Sequence, residues 1–192
     1  MSDPTPMTDE ALLVAYANGD PRAAADLTQR LAPRVLAHAA RLLGDQAEAE
    51  DVTQEAMVRL WRIAPEWRQG EAKVSTWLYR VTANLCIDRQ RKSGRTAPLE
   101  AAGDPADEPP GTEASLIAAE RAKALQDALD TLPDRQRQAV VLRHIEGLSN
   151  PDIAAVMDIG VEAVESLTAR GKRALKVALA GRKEELGYDD AG

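Results

Sequence analysis

Two short stretches of the sequence concentrate cations that could neutralise phosphates. From position 80 to 95 the basic residues are Arg80, Arg89, Arg91, Lys92 and Arg95, against Asp88 alone. From 162 to 183 they are Arg170, Lys172, Arg173, Lys176, Arg182 and Lys183, against Glu162 and Glu165. The chain as a whole is acidic, with a formal net charge of −7. Basic patches on an acidic body suit a protein that touches nucleic acid locally and binds it poorly alone. A third polar set recurs at three- and four-residue spacing, so that Asp51, Gln54, Glu55, Val58 and Arg62 share one helical face, with Ala49, Val52, Ala56 and Leu60 inward. Arg62 is too far along that helix to neutralise Asp51, which leaves acidity available to a basic partner. Taken alone, the same stripe would read as a solvated acidic face.

Other chemistry finds no support in the residues. His38 and His144 fall in different halves of the chain without neighbouring ligands, so no metal or other cofactor is expected. The single cysteine, Cys86, excludes an intramolecular disulfide and a cysteine-based zinc cluster, and beside Leu85 and Ile87 it reads as a small core residue. No nucleophile–base constellation, glycine-rich phosphate loop or paired-carboxylate site has a convincing context, and catalysis is not expected. The first ten residues are polar and acidic, unlike a secretory signal, and no run of about 18 apolar residues occurs. The reading is a soluble, cytoplasmic protein with no membrane contact of its own.

The elements that must position these residues are helices. With no phenylalanine, the cores must be built from Leu, Val, Ile and Ala, a composition that leans towards an all-α fold. Apolar periodicity and punctuation predict a helix opening at Thr8-Asp9-Glu10, a second over 21–43 that Pro33 bends or splits, a third over 47–63 and a fourth over 75–91. Residues 93–115 carry four prolines, three glycines and several acids without apolar periodicity, and read as a flexible acidic linker spanning roughly 25 Å r.m.s.. Beyond it, one helix over 113–132 shows the stripe Leu116, Ile117, Leu125 and Leu129, and another covers 135–145. Ser149 with Asp152 forms a capping box for a short helix to 157, and a tight turn at 158–160 leads into a long helix over 161–179. Short helix, turn and longer basic helix make a helix-turn-helix. The expected organisation is two small helical domains, 1–92 and 116–182, joined by the linker and followed by a disordered tail over 183–192.

Glu50-Asp51-Val52-Thr53-Gln54-Glu55 with Val58 and Leu60-Trp61 resembles the polymerase-binding helix of extracytoplasmic-function (ECF) sigma factors. Ser75-Thr76-Trp77-Leu78-Tyr79-Arg80-Val81, with Asn84 and Asp88-Arg89, resembles their promoter-melting segment. Leu132-Pro133, Glu146-Gly147-Leu148-Ser149, Ile153-Ala154 and Val164 resemble their second conserved domain. The resemblance implies an alternative sigma factor whose partners are core RNA polymerase, promoter DNA and a cognate anti-sigma factor. It assigns polymerase binding to Asp51, Gln54, Glu55, Val58 and Arg62.

It places −10 contacts on Trp67, Arg68, Lys73, Arg80, Asn84, Arg89, Arg91 and Lys92. The loop 67–73 would take up a base flipped from the non-template strand, and Asn84 would offer its amide donors and acceptors to a base edge. Trp77 reads as core packing, and Tyr79 divides evenly between core and DNA. At the −35 element the resemblance presents Glu162, Ala163, Glu165, Ser166, Ala169, Arg170, Lys172, Arg173 and Lys176, with Val161, Val164, Leu167 or Thr168, and Leu175 buried behind them.

Two departures stand out. Glu162 and Glu165 occupy positions where family members carry small or basic residues, which implies an unusual −35 preference or weak binding there. Gly171 lies mid-helix at a cost of ~1 kcal/mol relative to alanine, either to permit close backbone approach or merely as tolerated. The acidic recognition helix also motivates two other readings: a sigma mimic that sequesters an anti-sigma factor, and a plain regulator using only the helix-turn-helix. Asn84 and the run Arg89-Gln90-Arg91-Lys92 weigh against a mimic, which needs no melting residues.

Overall fold

Side-chain caps set where the helices begin. In the computed structural model, which describes residues 7–68, 70, 72–93 and 113–185, Thr8 accepts from the Ala11 amide at the start of α1 (Asp9–Ala17). Asp20 does the same for Arg22 at α2 (Pro21–Leu43), and Asp45 for Glu48 at α3 (Gln46–Ile63). Each side chain satisfies a first-turn N–H that has no partner within its helix. Pro33 lies inside α2 without dividing it. A 3-10 turn at Ala64–Glu66 ends α3, and α4 (Val74–Lys92) follows. These four helices bury Leu13, Leu27, Leu31, Val52, Leu60, Val74 and Leu78 in one core.

A second bundle follows, built from α5 (Glu113–Asp130), α6 (Asp134–Val140), α7 (Asn150–Met157) and α8 (Val161–Glu185). The single helix expected over 135–145 is divided: after Val140 the chain widens into a π turn, Val141–Ile145, closed by the Glu146 amide on the Val141 carbonyl at 2.9 Å. Ser149 caps α7 as expected, accepting from the Asp152 amide and donating to its carboxylate at 2.7 Å. Asp158, in the left-handed region at φ 54°, turns the chain into α8. Together α7, this turn and α8 form the helix-turn-helix. The linker expected over 93–115 lies outside the described residues except at its ends, where Ser93 closes α4 and α5 already begins at Glu113. Of the tail expected over 183–192, residues 183–185 belong to α8, which continues to Glu185; 186–192 lie outside the described residues.

Three apolar residues expected in the core are not there. Leu116 is 58% and Ile117 42% exposed, as are their neighbours through residue 123, whereas Leu129 further along α5 is fully buried. Val161, 39% exposed, sits at the first position of α8, where no element covers it, and Val164 carries the burial one turn on.

Gly171 proves to be a packing requirement. A Cβ there would lie 2.5 Å from Val140 Cγ2 and 3.1 Å from the Gln136 carbonyl oxygen, so the crossing of α6 and α8 depends on its absence. Gly181, further along the same helix, has nothing within 4 Å of its missing Cβ.

His38 of α2 is fully buried in the first bundle, with the Tyr79 ring edge-on at 4.9 Å, and neither ring nitrogen finds a hydrogen-bond partner among the described residues. Burial, reinforced by the nearby Arg41 charge, pushes its pKa down to about 3. The ring is therefore a neutral packing element.

Gly171→Ala is expected to lower stability by about 1–3 kcal/mol despite alanine's better helix propensity, while Gly181→Ala is neutral or stabilising; calorimetry on both variants checks the contrast. Acid should act through His38. Above its ordinary pKa near 6.5 the ring is neutral in both folded and unfolded chains. Below it the unfolded chain takes up a proton that the folded protein refuses until about pH 3, so stability falls by roughly 1.4 kcal/mol per pH unit through that window. Urea titrations of His38→Leu should show a correspondingly flatter pH profile; identical slopes would refute the assignment.

Candidate functional site

The face of α3 that carries Asp51, Gln54, Glu55, Val58 and Arg62 is exposed along its whole length. These five residues line one shallow groove with Arg59 and with Arg89 of α4. Its acidity is less available than the spacing within α3 implied. Arg89 reaches across from α4 to pair with Glu48 and, at 3.5 Å, with Asp51, while Arg59 holds Glu55 at 2.6 Å. The spacing argument considered only Arg62 and missed Arg59, one turn beyond Glu55 on the same helix, and Arg89, supplied by another. Arg89, expected among the phosphate contacts, is thereby turned back onto α3, and its pKa is raised by the hydrogen bond to Glu48 and the charges of Glu48 and Asp51.

The residues expected at the −10 element spread along the loop before α4 and down its length. Trp67 is half-buried, edge-on to Trp77 with ring centroids 6.3 Å apart, so it forms a wall rather than a free platform. Arg68, Arg91 and Lys92 are exposed. Residues 69 and 71 of the loop lie outside the described residues. Lys73 meets Asp152 at 3.6 Å and Arg80 meets Asp158 at 3.8 Å, both acids belonging to the second bundle. Asn84 is exposed on α4 at the edge of a cleft whose far wall comes from α6 and α7, including Gln138, Val156 and Met157.

The two bundles are thus in direct contact, and the seam is built around Tyr79, which the sequence left divided between core and DNA, together with Glu146 and Arg137, for which the sequence suggested no such role. Tyr79, from α4, is 2% exposed and packs into the apolar cluster of the second bundle with Leu142, Ile153, Val156, Met157 and Val164. Its hydroxyl donates to Glu146 Oε2 at 2.8 Å and accepts from Arg34 Nη2 at 3.3 Å. Burial first, then the bond to Glu146, pushes the phenol pKa up to about 12, which keeps it a donor. Arg41 holds the other oxygen of Glu146 at 3.4 Å. Beside them Arg137, 8% exposed, donates to the α5 carbonyls Leu129 and Asp130 and, at 2.8 Å, to Leu42 at the end of α2. The pairings of Tyr79 with Glu146 and Arg34, of Arg41 with Glu146 and of Arg137 with Leu42 join residues far apart in sequence, so no local pattern announces them; Glu146 was visible only as part of a loop motif.

The outward face of α8 presents Glu162, Ala163, Glu165, Ala169, Arg170, Lys172, Arg173 and Lys176 to solvent, with Ser166 half-buried beneath the Arg170 guanidinium at 2.6 Å. Cys86 is buried, and its thiol pKa is pushed up to about 12 by that burial. Among the described residues no group of three or more His, Cys, Asp or Glu is placed to hold a metal ion, and no helix is long and apolar enough to cross a membrane.

Comparison with known proteins gives this arrangement a family. Residues 27–96 match the Sigma-70 region 2 family and residues 122–175 match Sigma-70, region 4. The ECF RNA polymerase sigma factor SigE of Mycolicibacterium smegmatis is 37% identical over 164 residues, covering 83% of this chain and 63% of that protein. The ECF RNA polymerase sigma factor SigW of Bacillus subtilis is 32% identical over 177 residues, covering 84% and 91%. Among solved structures, CnrH in complex with the cytosolic domain of CnrY superposes with a TM-score of 0.67 at 26% identity, covering 90% of this chain and 97% of that one. With two sigma regions in order on two helical bundles, and relatives matched over most of their length, the chain belongs to the ECF RNA polymerase sigma factor family.

Proposed function

We propose that this sigma factor docks on core RNA polymerase through the α3 face, reads and opens the −10 element with α4 and the loop before it, and contacts the −35 element with α8. The observation that carries the reading is the α3 stripe. Asp51, Gln54, Glu55, Val58 and Arg62 form one continuous exposed face on the side of α3 away from the buried Ala49, Val52, Ala56 and Leu60. An exposed valine amid charges, 45% accessible, suits an interface core with a polar rim. The ion pairs Arg89–Asp51 and Arg59–Glu55 fix the carboxylates in place and would have to be shared with, or surrendered to, basic groups of the polymerase.

On α4, Asn84 would read a base edge, with Arg80, Arg91, Lys92 and Lys73 on phosphates and Trp67 and Arg68 at the pocket rim; Arg89 would join them only by leaving Glu48. On α8, Arg170, Lys172, Arg173 and Lys176 would anchor backbone phosphates. Glu162 and Glu165 would accept from cytosine amino groups while repelling phosphate, which favours a narrow −35 preference. A cognate anti-sigma factor, bound to this chain as CnrH is in complex with the cytosolic domain of CnrY, would keep it from polymerase in the cytoplasm.

Asp51→Lys with Glu55→Lys is expected to weaken binding to core polymerase at least tenfold in a pull-down titration without altering the helical circular dichroism; unchanged affinity would refute the docking face. Asn84→Ala should leave core affinity within about twofold while open-complex formation, read by permanganate footprinting, falls by roughly an order of magnitude, the size of one lost base contact. Equal loss of both would point to misfolding instead.

A further inference from the structure

We infer that α1 sets the geometry of the −10 loop: Glu10 and Tyr16 hold the two ends of the segment joining α3 to α4, which makes α1 a positioning element for promoter reading although none of the residues assigned to DNA lies on it. The inference rests on the assignment of the loop before α4 to a base of the −10 element, and adds to it what keeps that loop in shape.

The helix α4 begins without a cap of its own. Lys73, the residue before its first turn, makes no side-chain hydrogen bond to it, and the first N–H groups of a helix have no partner within it. The Val74 N–H donates instead to Glu10 Oε1 at 3.0 Å, a carboxylate brought from α1. A charged acceptor at a helix N-terminus makes a stronger bond than a neutral one and suits the helix dipole. Val74 is itself fully buried in the first core, so this bond fixes the residue at which loop becomes helix. At the other end of the segment Tyr16 packs against Trp61, in the last turn of α3, with ring centroids 4.7 Å apart. Glu10 and Tyr16 stand about 9 Å apart along one helix axis. Between them Leu12 and Leu13 are sunk in the core. Arg30 of α2 secures the start of α1, donating to the Met7 carbonyl at 2.7 Å and pairing with Asp9 at 3.5 Å. Anchored in this way, α1 gauges the span of the segment.

The loop needs such a gauge. It is polar, and Gly70 sits in the left-handed region at φ 94°. Gly70, Ala72, Lys73 and Thr76 face Thr8, Glu10 and Ala11 across a shallow groove. Fixing both ends of a flexible loop reduces the conformational freedom it must give up when it closes on a base. The effect also reaches the pocket wall. Trp77 lies one turn beyond Val74 and supports Trp67 edge-on, so fraying of the first turn of α4 would displace the indole at the pocket rim. Glu10 acts on the base through Val74, Trp77 and Trp67, without touching it.

The test uses the full chain assembled with core polymerase, and a pool of single-stranded oligonucleotides randomised across the −10 element. Strands retained by the holoenzyme are sequenced, which gives the base preference at each position. Glu10→Ala is expected to flatten the preference about tenfold at the position read by the loop, the size of one base contact, while core affinity stays within about twofold. Glu10→Gln, whose amide oxygen still accepts from the Val74 N–H, should keep the preference. Tyr16→Leu, which retains apolar bulk without the ring, should flatten the same position. An unchanged preference in Glu10→Ala would overturn the inference. So would equal loss at every position together with core affinity, the mark of a merely structural role, or a loss in Glu10→Gln as large as in Glu10→Ala. Trp67→Ala separates these failures from failure of the loop assignment. If it flattens a position that Glu10→Ala spares, the loop reads a base and only the role of α1 is wrong. If it leaves every position unchanged, the loop reads no base and the inference falls with that assignment.

Discussion

An aromatic side chain from one domain is sealed into the core of the other, and most of the molecule's arrangement follows from that. Tyr79 cannot leave the second domain without exposing its ring and the aliphatic wall it covers, and its hydroxyl cannot leave without stranding one oxygen of a nearly buried carboxylate on Glu146. The π turn at Val141–Ile145 precedes that carboxylate directly, and the bond from the Glu146 amide to Val141 closes the turn. Arg137 fastens a second point of the seam by sharing one guanidinium among carbonyls at the ends of α5 and α2. Burying a carboxylate and a guanidinium is tolerable only because each is fully engaged. That makes the seam specific, and dependent on all of its members together.

The charge distribution takes its meaning from the same closure. A chain of net charge −7 is not an obvious DNA ligand, and its cations at Lys73, Arg80 and Arg89 are matched in the structure by Asp152, Asp158, Glu48 and Asp51. On α8, by contrast, Lys172, Arg173 and Lys176 stand in solvent with Glu162 and Glu165 among them, and at the end of α4 Arg91 and Lys92 are likewise exposed. The cations open to solvent in this state therefore lie along α8 and at the end of α4, while those nearer the seam are paired.

Much of the fold was legible because it is local. Thr8, Asp20, Asp45 and Ser149 announce helix starts by side-chain chemistry, and the 3.6-residue periodicity of Leu27, Leu31, Val35 and Leu42 marks a core face without reference to anything distant. The exposed α3 stripe was legible for the same reason. What periodicity cannot report is whether a neighbour exists to cover an apolar face, and Leu116, Ile117 and Val161 are exposed. Nor can it report pairing between helices: Arg89 with Asp51, Arg41 with Glu146 and Arg80 with Asp158 join residues far apart in the chain. Gly171 shows the boundary well. Its position mid-helix left close approach and mere tolerance both open, and only the crossing with α6 decides for an approach, to Val140 and Gln136.

Tyr79, Glu146 and Arg137 hold the two sigma domains together as one closed body. Electron–electron distance measurement between spin labels at Gln29 on α2 and Glu120 on α5, both exposed, tests this directly in a Cys86→Ala background. A single narrow distance, broadened by Glu146→Ala, is the expected result. A broad distribution in the parent chain would contradict it.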